Sequence, residues 1–408
     1  MSPDRRFLVH LRWPRSMAAA ALAAAVVVGA GVAVPQTAGA STSFLGNLNA
    51  GAPSSVTAVP SNGDLNPYGV AVVNVPSVGR LMHGSILVSN FNDGANSQGA
   101  GTTIVQLPAG STGLTPGGSA PVFAQINPAM SPANRCPGGI GLTTAMALLP
   151  GGWVVVGSLP AQAGVLSSAD RGCLLVINSL GQVAAVITGH HLNGPWDMTA
   201  TWSGDTAALF VTNVLNGTVA GAGSMVNRGT VVRLDLRLHT HGAPTVSDAT
   251  VIGSGFAERT DPAALVVGPT GVGLSPDLRT LYVADTASNR ISAIPNPLHR
   301  DSTAFTGKDV FSGAPLNNPL GLAVARNGDI ITVNASDGNA VETAPDGKQV
   351  ATLTLDNQGD PAGAGNLFGL AIGVAGTPQA DGLYFVDDFN TPGVGANTNS
   401  LNFLAVSS

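Results

Sequence analysis

The sequence predicts an all-β protein, a six-bladed β-propeller of four-stranded antiparallel blades whose ring is closed by the N-terminal strand. Three observations carry this prediction. A Pro-x-Gly step leading into a short apolar strand recurs along the chain. Second and third strands follow each copy at corresponding offsets. One unmatched strand near the N-terminus stands where the last unit lacks its fourth.

The first strands read "NPYGVAVVNVP" (66–76), "TTAMALLPGG" (143–152, a weaker copy), "GPWDMTATWSG" (194–204), "GPTGVGLSPDLR" (268–279), "NPLGLAVARNGD" (318–329) and "NLFGLAIGVAG" (366–376). Second strands follow as "SILVSN", "WVVVGS", "ALFVTN", "TLYVAD", "DIITVN" and "GLYFVD". Third strands follow as "TTIVQL", "CLLVIN", "TVVRLD", "RISAIP", "NAVETA" and "SLNFLA". Aligning the first strands gives a bulky row, Val70, Met146, Met198, Val272, Leu322 and Leu370. Beside it runs a small row, Ala71, Ala147, Thr199, Gly273, Ala323 and Ala371. Successive strand residues point to opposite faces, so one face presents bulk and the other lets a neighbour approach closely. Fourth strands, "PVFAQI", "QVAAVI", "DATVIG", "KDVFSG" and "QVATLTL", complete five units. The chain ends soon after the sixth unit's third strand, and "SSVTAV" (54–59) fills the gap. Closure of that kind removes the free edge between first and last blades.

Residues 1–40 read as an export signal. Arg5, Arg6, Arg12 and Arg15 precede the apolar run 17–34, and Ala38 and Ala40 make a small-x-small cleavage site. Residues 41–408 are then a single propeller domain, secreted or held in the periplasm or cell envelope, with no later segment fit to span a membrane. Removing the signal leaves 13 basic and 22 acidic residues, a net charge of −9, with Lys308 and Lys348 the remaining lysines. No Lys/Arg cluster is present to track phosphates, which excludes nucleic acid as a partner. Gly and Pro are abundant (53 and 28), and the Val/Ile/Leu runs between them fit short strands joined by tight turns. Export also makes a Cys136–Cys173 disulfide the natural state of the two cysteines.

"YVADTASNRI" resembles the core of an NHL repeat, and "NPLGLAVARNGDIITVN" resembles the strand pair before it. The chain is thus similar to secreted NHL-type six-bladed propellers over nearly all of its mature length. That resemblance implies the fold; enzymes, adhesins and sensors share it.

In such blades the 4→1 and 2→3 connections emerge at one end. Most long excursions fall there: 126–141, 159–172, 213–229, 256–268 and 387–399. Function rides on long loops held by a rigid scaffold, so this loop-rich end is the expected working surface. Cys136 and Cys173 both fall on it, in one blade. The residue inside each Pro-x-Gly step stands at the channel mouth: Tyr68, Thr144, Trp196, Thr270, Leu320 and Phe368. Such a ring receives an apolar or planar ligand, or plugs the channel by itself.

The position after it is Gly or Ala in five copies and Asp197 in the third, within "GHHLNGPWDM". Tyr68, His191, Trp196, Asp197 and Phe368 are therefore the candidate ligand-binding residues. The plainer reading of Asp197 is an Asx-type cap beside exposed histidines. Asn90, Asn213, Asp285, Asn334 and Asp387 end the second strands in matching places, best read as Asx residues capping their own hairpins. Asp387 with Asp388 keeps metal potential, and a divalent metal is the one cofactor the residues suggest.

Two classes of function follow. One is a non-catalytic binding or scaffold module engaging an envelope protein, a polymer or a small molecule. The other is a metal-dependent lyase or lactonase-type hydrolase at the channel mouth. The propellers of streptogramin lyases resemble this one, but a His commonly fills their Pro-x-Gly step, where this chain has Tyr68, Trp196, Thr270 and Leu320. Gluconolactonase-like hydrolases place a Glu before Gly-Pro, where this chain has Asn193. Peptide-amidating lyases share the architecture, but their His-based zinc site has no counterpart here. The residues favour the binding module. No G-x-S-x-G elbow and no phosphate-cradling glycine loop leading into a helix is present.

Overall fold

Six inner strands, Leu65–Val72, Leu142–Leu149, Gly194–Ser203, Pro269–Leu274, Pro319–Val324 and Leu367–Ile372, stand side by side around a central channel. The computed structural model describes residues 43–51, 53–111, 118–162, 164–262, 264–359, 361–377, 379–389 and 399–407. The export-signal reading of 1–40 lies outside them, as does 390–398 of the last long connection. Among the described residues no helix is long and apolar enough to cross a membrane.

Each inner strand begins an antiparallel sheet that runs outward in chain order. The sixth blade is completed by Ser54–Thr57, which pairs with Ser400–Leu404 in the register Ser54 to Phe403 and Thr57 to Ser400. Ring closure by the N-terminal strand therefore holds. A second clasp reinforces it. Glu342, wholly buried in the fifth blade, accepts hydrogen bonds from Ser43 Oγ (2.6 Å), Phe44 N–H (2.6 Å) and Leu45 N–H (2.9 Å). One of the two glutamates is thus a fastener for the N-terminal segment.

The step that opens each inner strand, Pro-x-Gly in the first, fourth and fifth blades, is a bulge. Ladder pairing slips there in every blade, between Pro67 and Gly69, Leu142 and Met146, Pro195 and Met198, Pro269 and Val272, Pro319 and Leu322, and Leu367 and Leu370. A bulge re-aims the side chain it frees, here toward the channel. Glycine after it is demanded by the neighbouring blade: a Cβ on Gly369 would lie 2.0 Å from the Tyr68 carbonyl oxygen, and one on Gly271 2.4 Å from that of Leu320. The two rows expected from the sequence also mesh, since a Cβ on Gly273 already sits 2.8 Å from Leu322 Cδ2.

Between blades the core is built from such meshing faces. Leu87, Ile104 and Phe123 of the first blade pack on Met146, Val154 and Leu175 of the second. Each fully buried Leu, Ile or Phe contributes about 1.5–3 kcal/mol, so these inter-blade layers dominate the stability. Cys136 and Cys173 form the disulfide, with Cα atoms 5.5 Å apart. It ties the connection entering the second blade to that blade's third strand, Cys173–Ile177.

The third blade departs from the pattern. Its fourth strand runs seventeen residues, Thr245–Asp261, and then pairs with a fifth, Leu265–Val267. The sequence suggests a loop over 256–268; the chain instead folds a hairpin arm back over the channel. Backbone extended beyond the blade needs hydrogen-bond partners, which Leu265–Val267 supplies. Its apolar side chains are buried at the channel mouth.

Candidate functional site

The bulges bring Tyr68, Trp196, Leu320 and Phe368 into one cluster at the loop-rich end, together with Leu265, Val266 and Val267 of the hairpin arm. Tyr68 stacks on Phe368 at 4.2 Å and on Phe91 at 4.5 Å, with Trp196 at 5.7 Å. Trp196 Nε1–H donates to the Val266 carbonyl at 2.9 Å. None of the three bulge aromatics is more than 2 % exposed. They form a plug, the second of the two arrangements open to an aromatic ring at this position.

Above the plug lies a cavity of about 240 Å³. Leu320 and Phe368 line its apolar side, and Arg259, Asp261, Asn318 and Ser336 its polar side. The hairpin arm supplies the charges, with Arg259 Nη1 2.6 Å from Asp261 Oδ2. Asp388 stands beside this cavity, its N–H donating to the carbonyl of Asn366, the neighbour of lining residue Gly365. Burial raises the Asp388 carboxyl well above its ordinary range, and the nearby Asp387 and Asp356 raise it further. Burial also pushes Asp387 up to about 6. The Tyr68 phenol is raised by its burial first and then by the fields of Asp388 and Asp261. Its hydroxyl has no hydrogen-bond partner among the described residues. Glu258, at the root of the arm, accepts the Asn216 N–H at 3.0 Å, and burial pushes it to about 7.

Asp197 faces the other way. It lies at the inner end of the open channel, below the plug, half-buried, with Oδ1 accepting the Met198 N–H (2.8 Å) and Oδ2 the Val272 N–H of the next blade (3.2 Å). This is a bridge between blades and not an Asx-type cap, because the bulge turns the carboxyl across the blade boundary. Burial pushes its pKa to about 8. His191 is exposed in a turn at φ 62° and lines neither this channel nor the cavity above the plug. The candidate set thus divides: Tyr68, Trp196 and Phe368 meet, Asp197 lies in the channel, and His191 stays outside.

The row of Asx residues divides too. Asp387 Oδ1 accepts the Phe389 N–H at 2.9 Å, as a cap of its own hairpin does. Asp285 instead pairs with Arg290 at 2.8 Å. Asn90, Asn213 and Asn334 bind Ala58, Asn193 and Asn317 of the chain arriving at their blade. That incoming backbone has no ladder partner, and a short amide side chain at the strand end supplies one. Among the described residues no group of three or more His, Cys, Asp or Glu side chains is placed to hold a metal ion. Asp387 and Asp388 thus have no third ligand of these types placed with them among the described residues.

Sequence reasoning did not single out Glu258, Arg259 and Asp261 as site residues. The signal was present: three ionisable residues within four positions of a long connection, in a chain only 10% charged.

Asp387, Glu258 and Asp197 all hold their protons to higher pH in the folded protein than in the unfolded chain. Their contribution to stability is full below the ordinary carboxyl range and is lost as pH rises through about 6, 7 and 8. The melting temperature is expected to fall between pH 5 and pH 9, and calorimetry showing a rise over that range would contradict these environments.

A sequence model of the family described as "SMP-30/Gluconolactonase/LRE-like region" matches residues 250–362, just over a quarter of the chain. No curated protein sequence matches. Among solved structures, a gluconolactonase from Xanthomonas campestris has a TM-score of 0.52 at 15% identity, covering 89% of this chain and 92% of its own. An α-L-arabinofuranosidase from Fusarium graminearum has a TM-score of 0.52 at 10% identity, covering 87% and 97%. The calcium-binding protein regucalcin from Agrobacterium tumefaciens has a TM-score of 0.50 at 14% identity, covering 86% and 92%. At such identities the likeness is one of fold, and it is the six-bladed propeller that this chain shares with them.

Proposed function

We propose that this chain is an exported enzyme of the lactonase or lyase type, acting on a small carbonyl compound in the cavity above the aromatic plug. One observation carries the reading. Most of the residues lining that cavity, from Arg259 to Ser336, fall inside the segment matched by the lactonase-containing family, and they include its charged pair. The half-buried carboxyl pair Asp387 and Asp388 supplies acid–base capacity, since neighbouring carboxyls whose affinities are pushed up divide the roles of proton donor and acceptor.

For a cyclic ester the chemistry runs as follows. Asp387, ionised above about pH 6, takes a proton from the attacking water, whose oxygen bonds to the carbonyl carbon. Asp388, holding its proton, passes it to the ring oxygen as the acyl–oxygen bond breaks. Arg259, fixed by Asp261, stabilises the developing oxyanion. No step is assigned to a metal, because the described carboxyls and imidazoles do not assemble a site for one.

A pH-stat assay of the mature protein on glucono-δ-lactone and a panel of neutral lactones tests this. Ring opening above the buffer rate is expected, with an acid limb near pH 6. Asp388→Asn is expected to lower kcat about 10²-fold or more, the range of acid–base contributions. Rates equal to buffer across the panel, with and without added divalent ions, would refute the reading. Ligand capture without turnover is the second reading. It is favoured by the plug, which closes the channel mouth by its own packing, and it would engage a small molecule, polymer or envelope protein through the loop-rich end.

A further inference from the structure

The plug closes one end of the channel; the other end opens between the short turns as a cavity of about 420 Å³. All six inner strands line it. Met146, Met198, Val272, Leu322 and Leu370 supply apolar side chains, and strand backbone with Thr199, Thr201 and Ser275 makes the rest of the surface polar. From Asp197 at the inner end to Trp202 at the rim is five residues of strand, about 16 Å at ~3.3 Å per residue. Trp202 and Leu278, each 38% exposed, give the rim an apolar lip.

Asp197 is the one ionisable side chain on this wall, and none of the six strands brings a cation or a second acid to face it. The repeat does not require it. The equivalent residues are Gly69, Ala145, Gly271, Gly321 and Gly369, and those five blades meet their neighbours without a carboxyl. Two backbone N–H bonds satisfy one lone pair on each carboxyl oxygen, which leaves the carboxyl able to pair with a cation that enters the channel. A concave site with apolar side chains and a single ionisable group selects ligands by charge as well as by shape.

We propose that the channel open at the short-turn end is a second binding site, taking a slender apolar amine whose ammonium group pairs with Asp197. The alkyl part lies against the Met, Val and Leu side chains, and the ammonium replaces the proton that the Asp197 carboxyl otherwise holds. That proton passes to the buffer on binding, so charge stays balanced inside the channel. The Met198 and Val272 N–H bonds hold the carboxylate in place for the pair. This site lies across the plug from the cavity assigned to turnover and does not depend on that assignment.

Titration calorimetry with n-hexylammonium, hexan-1-ol and hexanoate, in two buffers of different ionisation enthalpy near pH 7, tests the proposal. The expected result is one hexylammonium bound per chain with proton release, at least tenfold weaker binding of hexan-1-ol, and no binding of hexanoate. Asp197→Asn should weaken hexylammonium binding at least tenfold and abolish proton release. Ala200→Phe, which fills the channel midway while leaving Asp197 in place, should block binding and keeps the test decisive if the Asp197 variant does not fold. Equal affinity for the alcohol, no binding of hexylammonium, or undiminished binding in a folded Ala200→Phe or Asp197→Asn protein would overturn it.

Discussion

Deletion of residues 41–60 is expected to abolish cooperative unfolding or to drive the protein into aggregates. The deleted segment carries the strand Ser54–Thr57 that completes the sixth blade, and without it the Ser400–Leu404 strand becomes an exposed edge. It also carries Leu45 and Leu48, buried against the fifth and sixth blades, each contributing about 1.5–3 kcal/mol. Glu342 would lose three donors at once, a further cost of about 0.5–1.5 kcal/mol for each bond. Together these losses approach the whole stability of a typical domain, about 5–15 kcal/mol. Denaturant unfolding and size-exclusion chromatography of the truncated chain provide the check. A monomer with the melting behaviour of the parent would show that the ring closes some other way.

Replacing both cysteines by alanine is expected to lower stability by about 4 kcal/mol. The residues stand 37 apart, and the chain-entropy account gives that value for a loop of this length. Cys173 is wholly buried and Cys136 nearly so, so alanine removes the cross-link without introducing a buried hydroxyl. Equilibrium unfolding of the parent and the double variant measures the difference. Peptide mapping without reduction should recover Cys136 linked to Cys173 from the exported protein. Two free thiols there, or equal stability in the two proteins, would contradict the cross-link.

The two cavities lead to separable expectations because the plug lies between them. Changes at Asp388 or Arg259 act on turnover above the plug, whereas Asp197 and Ala200 act on the channel below it. A change at Tyr68 or Trp196 would disturb both, since each ring is packed into the plug itself.

The blades were legible in the chain because a propeller repeats one unit. Pro before the bulge in four blades, Gly or Ala after it in five, and alternating large and small side chains are local demands, set by the backbone and the adjacent strand. "SSVTAV" could be assigned to the last blade because an edge strand without a partner is untenable, and Cys136 could be matched to Cys173 because both fall at one end of one blade. The role of "GPWDM" was not legible. Alternation tells which residues share a face, but a bulge shifts that alternation. Whether Trp196 joins a plug and Asp197 points into an open channel depends on how six bulges converge. The arm 256–268 was hidden for a related reason: its strands exist because they pair with each other over a mouth that other blades create. Local geometry and the need for closure are therefore written in the sequence of this protein. The partition of its channel into a sealed end with a charged cavity and an open end with a lone carboxyl was decided by tertiary packing, because it depends on contacts among blades far apart in the chain.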